Sequence, residues 1–217
     1  MANEKKQKKT ETKEVNIENK TEKKKSATKG LFYYLRQAWK KPDKESLRQK
    51  MIEWRASDAI VKVDKPLRLD RAHALGYKAK KGIVVVRVRL NRGGRRRQRP
   101  KKGRRSARMT VRKVVSMNYR EIAEQRVAKK YTNMEVLNSY WIGKDGVNYF
   151  FEVILVDRDS NEIKADKELS FITKPGNRGR AIRGLTSAGK KARGFRNSPV
   201  RSPKVYPSLR ANNRRGN

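Results

Sequence analysis

Residues 91–108 read NRGGRRRQRPKKGRRSAR, in which ten of eighteen residues are Lys or Arg and none is acidic. This stretch has no apolar surface to bury and its like charges repel one another, so it cannot form a core of its own. It follows directly on GIVVVRVRL (82–90), a strand pattern with Val84, Val86, Val88 and Leu90 on one face and Val85, Arg87 and Arg89 on the other. That strand reads as half core and half basic surface. From Asn91 to Met117 no apolar periodicity exists, and a structureless stretch this long within a compact domain is functional or disordered. Extended at up to about 3.3 Å per residue, such an arm can cross several helices of a partner.

Its residue types point to phosphate. Arg outnumbers Lys eight to two in 91–108, and the planar guanidinium grips phosphate in two places and stacks on bases. Gly93, Gly94 and Gly103 allow close backbone approach, while Pro100 discourages regular structure. The imbalance extends further. Neither Arg71–Arg120 nor Ser170–Asn217 contains an acid; the acids lie in the first 70 residues and between 121 and 168. The formal net charge of +38 opposes compaction and attracts polyanions. With 35% hydrophobic residues the chain has material for one modest body carrying basic extensions.

The absence of Cys excludes disulfides, thiolate zinc sites and thiol catalysis. The opening MANEKKQKKTETKEVNIENK has no apolar run and does not read as a secretory signal. The longest apolar run, YFFEVILV, is too short to span a membrane. A soluble, cytoplasmic protein is expected.

Residues 1–29 alternate Lys and Glu and read as a disordered or weakly helical extension. Leu31, Tyr34, Leu35 and Ala38 have helical spacing, ended by Pro42; Asp43 then caps a second helix that buries Leu47, Met51 and Trp54. AIVKV (59–63) is a strand, and RLDRAHALG is a short helix with Gly76 at its C-cap. NYREIAEQRVAKKY opens with Asn118 and Glu121 at capping-box spacing, with Ile122, Ala123 and Val127 on one face. MEVLNSYWIG and NYFFEVILVD form a hairpin around KDG, and a short helix follows near Glu162–Asp166. The expected fold is therefore α+β: a small mixed sheet with packed helices, plus a long extended basic loop and tails. The expected divisions are an extension 1–29, a body 30–173 containing the arm 91–117, and a basic tail 174–217.

Several catalytic readings fail on inspection. GLTSAGKK (184–191) approaches a phosphate-binding loop through Gly184, Gly189 and Lys190, but Lys191 stands where a magnesium-binding hydroxyl is needed and no buried strand precedes it. A phosphate-gripping turn against nucleic acid is the better reading. Asp157 and Asp159 sit at metal-ligand spacing, yet DRDSNE is a strand-end turn. His73 is the sole histidine, so no catalytic triad can be assembled without it; it is expected packed or facing RNA. Tyr33, Tyr34, Trp39 and Trp54 could stack on bases, but their helical spacing favours the core.

LGYKAKKG, RVRLNRGGRRR, LNSYW followed by FFEVILVD, and RGLTSAGKKARG occur in that order, after the opening GLFYYLRQAWKKP. Together they resemble the archaeal and eukaryotic family of large-subunit ribosomal protein fifteen, the "e" type, over about Gly30 to Gly194, with an archaeal-looking end. The resemblance implies an α+β body, arms that penetrate ribosomal RNA, a structural and non-catalytic role, and neighbouring ribosomal proteins as further partners. It implies no cofactor (structural magnesium would belong to the RNA) and no small-molecule substrate. By matching motif it places Lys78, Lys80 and Lys81, the arm from Arg92 to Arg105, and Arg183 to Arg193 on RNA.

Lys78, Lys80, Lys81, Arg87 and Arg89 are expected to bind RNA. The arm contributes Arg92, Arg95, Arg96, Arg97, Arg99, Lys101, Lys102, Arg104, Arg105 and Arg108. The C-terminal segment contributes Arg178, Arg180, Arg183, Lys190, Lys191 and Arg193. The arm and residues 174–217 are expected to order only on binding. A DNA-compacting architectural protein is the alternative that composition allows.

Overall fold

Eight of the ten residues of β6, Asn148–Asp157, are buried, and this sets the architecture. A strand that is apolar on both faces has to lie inside a sheet with a layer on either side. A computed structural model of the protein describes residues 29–96 and 112–196. β6 lies between β2 (Ile83–Asn91) and β5 (Met134–Lys144), with β1 (Ile60–Val63) beyond β2. All three pairings are antiparallel, so the expected mixed sheet is corrected to an antiparallel one. The reason is the hairpin: its more apolar strand, β6, takes the centre and separates β5 from β2, the two strands that run the same way.

On one face Val86, Val88 and Leu90 of β2, Phe151, Val153 and Leu155 of β6 and Val136 of β5 pack against Ala123 and Val127. The last two belong to α4, Tyr119–Lys130, whose first turn is capped as expected: Asn118 Oδ1 accepts from the Glu121 N–H at 2.8 Å. The other face is covered by α2, Lys44–Ala56, and α3, Leu69–Ala74. There Trp54 and Ala72 meet Tyr140, Ile142, Phe150 and Ile154, with Leu47 and Met51 partly buried beside them. Trp54 packs edge-on to Phe150, ring centres 5.1 Å apart. Asp43 caps α2 through the N–H groups of Glu45 and Ser46.

Gly76 ends α3 at a φ of +95°. Its N–H donates to His73 O and the next N–H, of Tyr77, to Ala72 O, a Schellman closure that needs a left-handed residue. α5, Asn161–Lys164, and the 3-10 turn Ser170–Thr173 close the far end of the sheet, where Val156, Ile163, Leu169 and Ile172 cluster.

The chain divides into two compact units, the first ending at Lys41 and the second beginning at Pro42. The first unit contains α1, Leu31–Ala38, which buries none of its residues. Tyr33 and Tyr34 are exposed there, against the core expectation, whereas Trp54 is buried as expected. At the other end the packed chain runs past 173: Ala181 joins the α4-side core, and α6, Ser187–Ala192, buries Ala188 and Gly189. Small side chains and glycine do this packing, so no large apolar residue betrays it. The arm, expected to lack regular structure, begins and ends as a two-stranded ladder of β3 (Arg95–Arg96) and β4 (Arg112–Lys113). The residues expected on RNA at Arg97, Arg99, Lys101, Lys102, Arg104, Arg105 and Arg108 lie outside the described residues, as do 1–28 of the expected extension and 197–217 of the expected tail.

One carboxylate is buried under the α2–α3 layer. Glu152, in the middle of β6, accepts from the Tyr140 hydroxyl at 2.5 Å and from the Leu67 N–H at 3.2 Å. Burial pushes its pKa up, while Tyr140, Leu67 and Arg87 hold it down. Tyr140→Phe removes a donor from a buried charge and is expected to cost about 1–3 kcal/mol of unfolding free energy. Urea titration checks this; an unchanged midpoint would show that the hydroxyl is dispensable.

Candidate nucleic-acid interface

The arm leaves the sheet from a braced root. Beyond the end of β2, the Arg92 N–H donates to Val147 O at 2.7 Å, and its Nη1 donates to Asp145 O at 2.8 Å and Gly146 O at 3.2 Å. Its guanidinium also sits over the Tyr149 ring, 5.1 Å from the centre. One residue on, Gly93 and Tyr119 bond reciprocally: the Gly93 N–H donates to the Tyr119 hydroxyl at 2.9 Å, and that hydroxyl faces Gly93 O at 3.2 Å. The Tyr119 and Tyr149 rings lie 4.7 Å apart. The root is thus tied to the β5–β6 turn and to the first turn of α4.

That same turn of α4 holds the C-terminal segment. Asn118 Nδ2 donates to Ala188 O at 2.8 Å. Glu124, fully buried on α4, accepts from Ser139 Oγ of β5 and from Thr186 Oγ1, both at 2.5 Å. Arg120 donates to Ser139 O and to Asn138 Oδ1 on β5. Thr186 caps α6 through the Gly189 N–H. A β-carbon on Gly189 would lie 2.5 Å from Gly184 Cα, so the two glycines of GLTSAGKK serve backbone-to-backbone packing. The Gly189 N–H is thereby committed inside the protein. Lys190 and Lys191 remain exposed on the last turn of α6, and Arg193 lies over Phe195.

Other expected site residues are engaged elsewhere. Arg87 and Arg89 face α2 and are not the basic surface the alternation suggested. Arg89 Nη1 donates to Arg55 O at 2.9 Å, while Arg87 Nη2 donates to Ser57 Oγ at 3.1 Å and stacks 5.3 Å from the Trp54 ring centre. These cations neutralise the carbonyl end of α2. Burial pulls the Arg87 guanidinium below its ordinary pKa, and Glu152 and Glu53 oppose that. Arg180 donates to Val136 O at 3.2 Å, lies over Phe171, and is likewise lowered by burial. Arg183 donates to Gly176 O and Arg178 O but remains exposed, as does Arg178.

Lys78 and Lys80 converge on Asp166, at 3.0 Å and 2.7 Å, and Lys78 also meets Glu168 at 2.8 Å. Lys80, the Glu168 N–H and Lys78 together hold the Asp166 carboxyl well below the usual range. Lys81 is exposed. This cluster lies at the start of β2 and the arm at its end. With nine residues in the strand, the two are separated by roughly 27 Å. The expected site therefore divides between two ends of the body. Asp157 accepts from the Asp159 N–H in the strand-end turn, as the plain reading had it, and His73 is exposed.

The sequence reading passed over Tyr119, Tyr149, Glu124, Ser139 and Thr186. The one signal available was Glu124 on the apolar stripe of α4, three residues after Glu121. Burial raises the Glu124 pKa, against Ser139, Thr186, Arg120 and Arg180. A carboxyl whose pKa is higher folded than unfolded binds its proton more tightly when folded. Its contribution to stability is therefore greatest at low pH and falls as pH rises from the unfolded value through the folded one. Glu124→Gln should remove that dependence, so its stability relative to the native protein should improve as pH rises above the ordinary glutamate pKa of 4.5. Urea unfolding across that rise checks this, and parallel curves would refute it.

A family model described as Ribosomal L15 matches residues 30–212. The large ribosomal subunit protein eL15 of Methanospirillum hungatei is 54% identical over 190 residues, covering 85% of this chain and 97% of that protein. The proteins of the same name from Methanocella arvoryzae and Methanocorpusculum labreanum are 50% and 48% identical, each over 87% of this chain and 98% or more of their own length.

Proposed function

The chain belongs to the ribosomal L15e family, and on that premise we propose that it neutralises ribosomal RNA phosphates with its basic arm and with the cations its fold leaves exposed. It is a structural constituent of the large ribosomal subunit and not an enzyme. Ribosomal RNA is its main partner, with ribosomal proteins as neighbours. Family membership leaves the DNA-compacting alternative without support.

One observation carries the reading of the site. The guanidiniums of Arg87, Arg89, Arg92, Arg120 and Arg180 already have protein acceptors. Lys81, Arg178, Lys190 and Lys191 are exposed. The arm carries seven further cations in residues 97–111 alone. Arg95 and Arg96, on the ladder, lead into that stretch. Phosphate binding is the chemistry such a set supports, and Arg is the residue best suited to it. The arm root is anchored before RNA arrives, which lowers the ordering cost of threading the arm into folded RNA.

Neutralising about ten phosphates should make log affinity fall with log salt at a slope near −7 to −9. Replacing residues 97–111 by Asn-Gly would close the β3–β4 ladder with a two-residue turn. The body should unfold at the same urea concentration as before, while the salt slope becomes shallower by about 0.7–0.9 for each phosphate no longer neutralised. Filter binding to large-subunit ribosomal RNA at several salt concentrations measures this. A shallow slope for the native chain would overturn phosphate neutralisation, and an unchanged slope in the variant would acquit the arm.

A further inference from the structure

On α1, Leu31, Phe32, Tyr33 and Tyr34 are 64%, 38%, 39% and 61% exposed. Tyr33 and Tyr34, whose rings adjoin, stand exposed on a helix with no buried residue, and adjoining exposed rings mark a candidate interaction site. The chemistry around the patch selects the occupant. Residues 29–42 carry Lys29, Arg36, Lys40 and Lys41 and no acid. Lys29 Nζ lies over the Tyr33 ring, 4.6 Å from its centre. The Tyr33 and Tyr34 rings are 5.5 Å apart and perpendicular at 88°, an edge-to-face pair and not a flat stack. Aromatic rings among cations suit a ligand that is itself flat and anionic at its edges. An unpaired nucleotide has both properties.

We propose that α1 is a second RNA contact, in which Tyr33 and Tyr34 stack on unpaired bases of ribosomal RNA while the flanking cations meet their phosphates. This rests on the ribosomal reading but differs from it in chemistry. Stacking releases no counterions, so it adds affinity that salt does not remove.

The test uses the full chain and transcribed large-subunit ribosomal RNA, with filter binding over a range of potassium chloride. Tyr33→Leu with Tyr34→Leu keeps apolar side chains and helix propensity but removes the rings. Tyr33→Phe with Tyr34→Phe keeps the rings. The leucine pair should bind about ten-fold or more weakly at every salt concentration, with the native slope, and the phenylalanine pair should bind like the native chain. Because α1 buries no residue, both variants should keep the native urea midpoint of the body. Native binding by the leucine pair would overturn the proposal. So would an equal loss in both pairs, which would implicate the hydroxyls, or a changed slope, which would implicate charge. If the leucine pair binds RNA normally but reconstituted subunits lack a neighbouring protein, the face docks protein instead and the proposal is overturned. Failure of the ribosomal reading looks different: the native chain itself would then bind with a shallow slope.

Discussion

The requirement that β6 be covered on both faces organises the whole body. A chain with a net charge of +38 has little apolar material to spare, and NYFFEVILVD gathers much of it into one strand. Covering that strand demands a layer on each side, and a buried glutamate lies under each. Glu152 of β6 accepts from Tyr140 of β5 and from the Leu67 N–H ahead of α3, while Glu124 of α4 accepts from Ser139 of β5 and from Thr186. Arginines then bond to the carbonyls that remain, Arg89 at the end of α2 and Arg120 and Arg180 along β5. Each buried carboxylate would be costly alone and is tolerable because its lone pairs are occupied.

This arrangement divides the basic residues by task. In the folded body Arg87, Arg89, Arg92, Arg120 and Arg180 serve the body, bonded to carbonyls or hydroxyls or stacked on rings, and Lys78 and Lys80 are paired with acids. Lys190 and Lys191, on the outer turn of α6, are exposed. The first turn of α4 connects the two groups, because Asn118 and Tyr119 fasten α6 and the arm root to the same helix that covers the sheet. The direction in which the arm departs is therefore set by the core, through Tyr119, Tyr149 and Arg92.

Much of the fold was legible in the sequence. The caps at Asp43 and Asn118, the turn at Gly76, the hairpin at KDG and the alternation of β2 all rest on local chemistry and hold. What could not be read were consequences of three-dimensional neighbours. The polar face of β2 reads as surface until α2 is seen lying on Arg87 and Arg89. Residues 175–194 read as a tail because they pack through alanine and glycine, and the close approach of Gly184 and Gly189 leaves no trace in apolar periodicity. Helical spacing in 31–38 suggested a buried stripe, but spacing reports only that a face exists, not that anything covers it. For the site, sequence separated basic from acidic segments but could not say which cations the protein keeps for itself.

That partition is the central claim, and arginine-selective chemical modification read by peptide mass spectrometry tests it most directly. The free chain and the chain bound to ribosomal RNA would be compared residue by residue. The account predicts that Arg87, Arg89, Arg120 and Arg180 react slowly in both states, while the arginines of 97–111 react quickly when free and are protected by RNA. Fast reaction of Arg87, Arg89, Arg120 or Arg180 in the free chain, followed by protection on RNA, would contradict it.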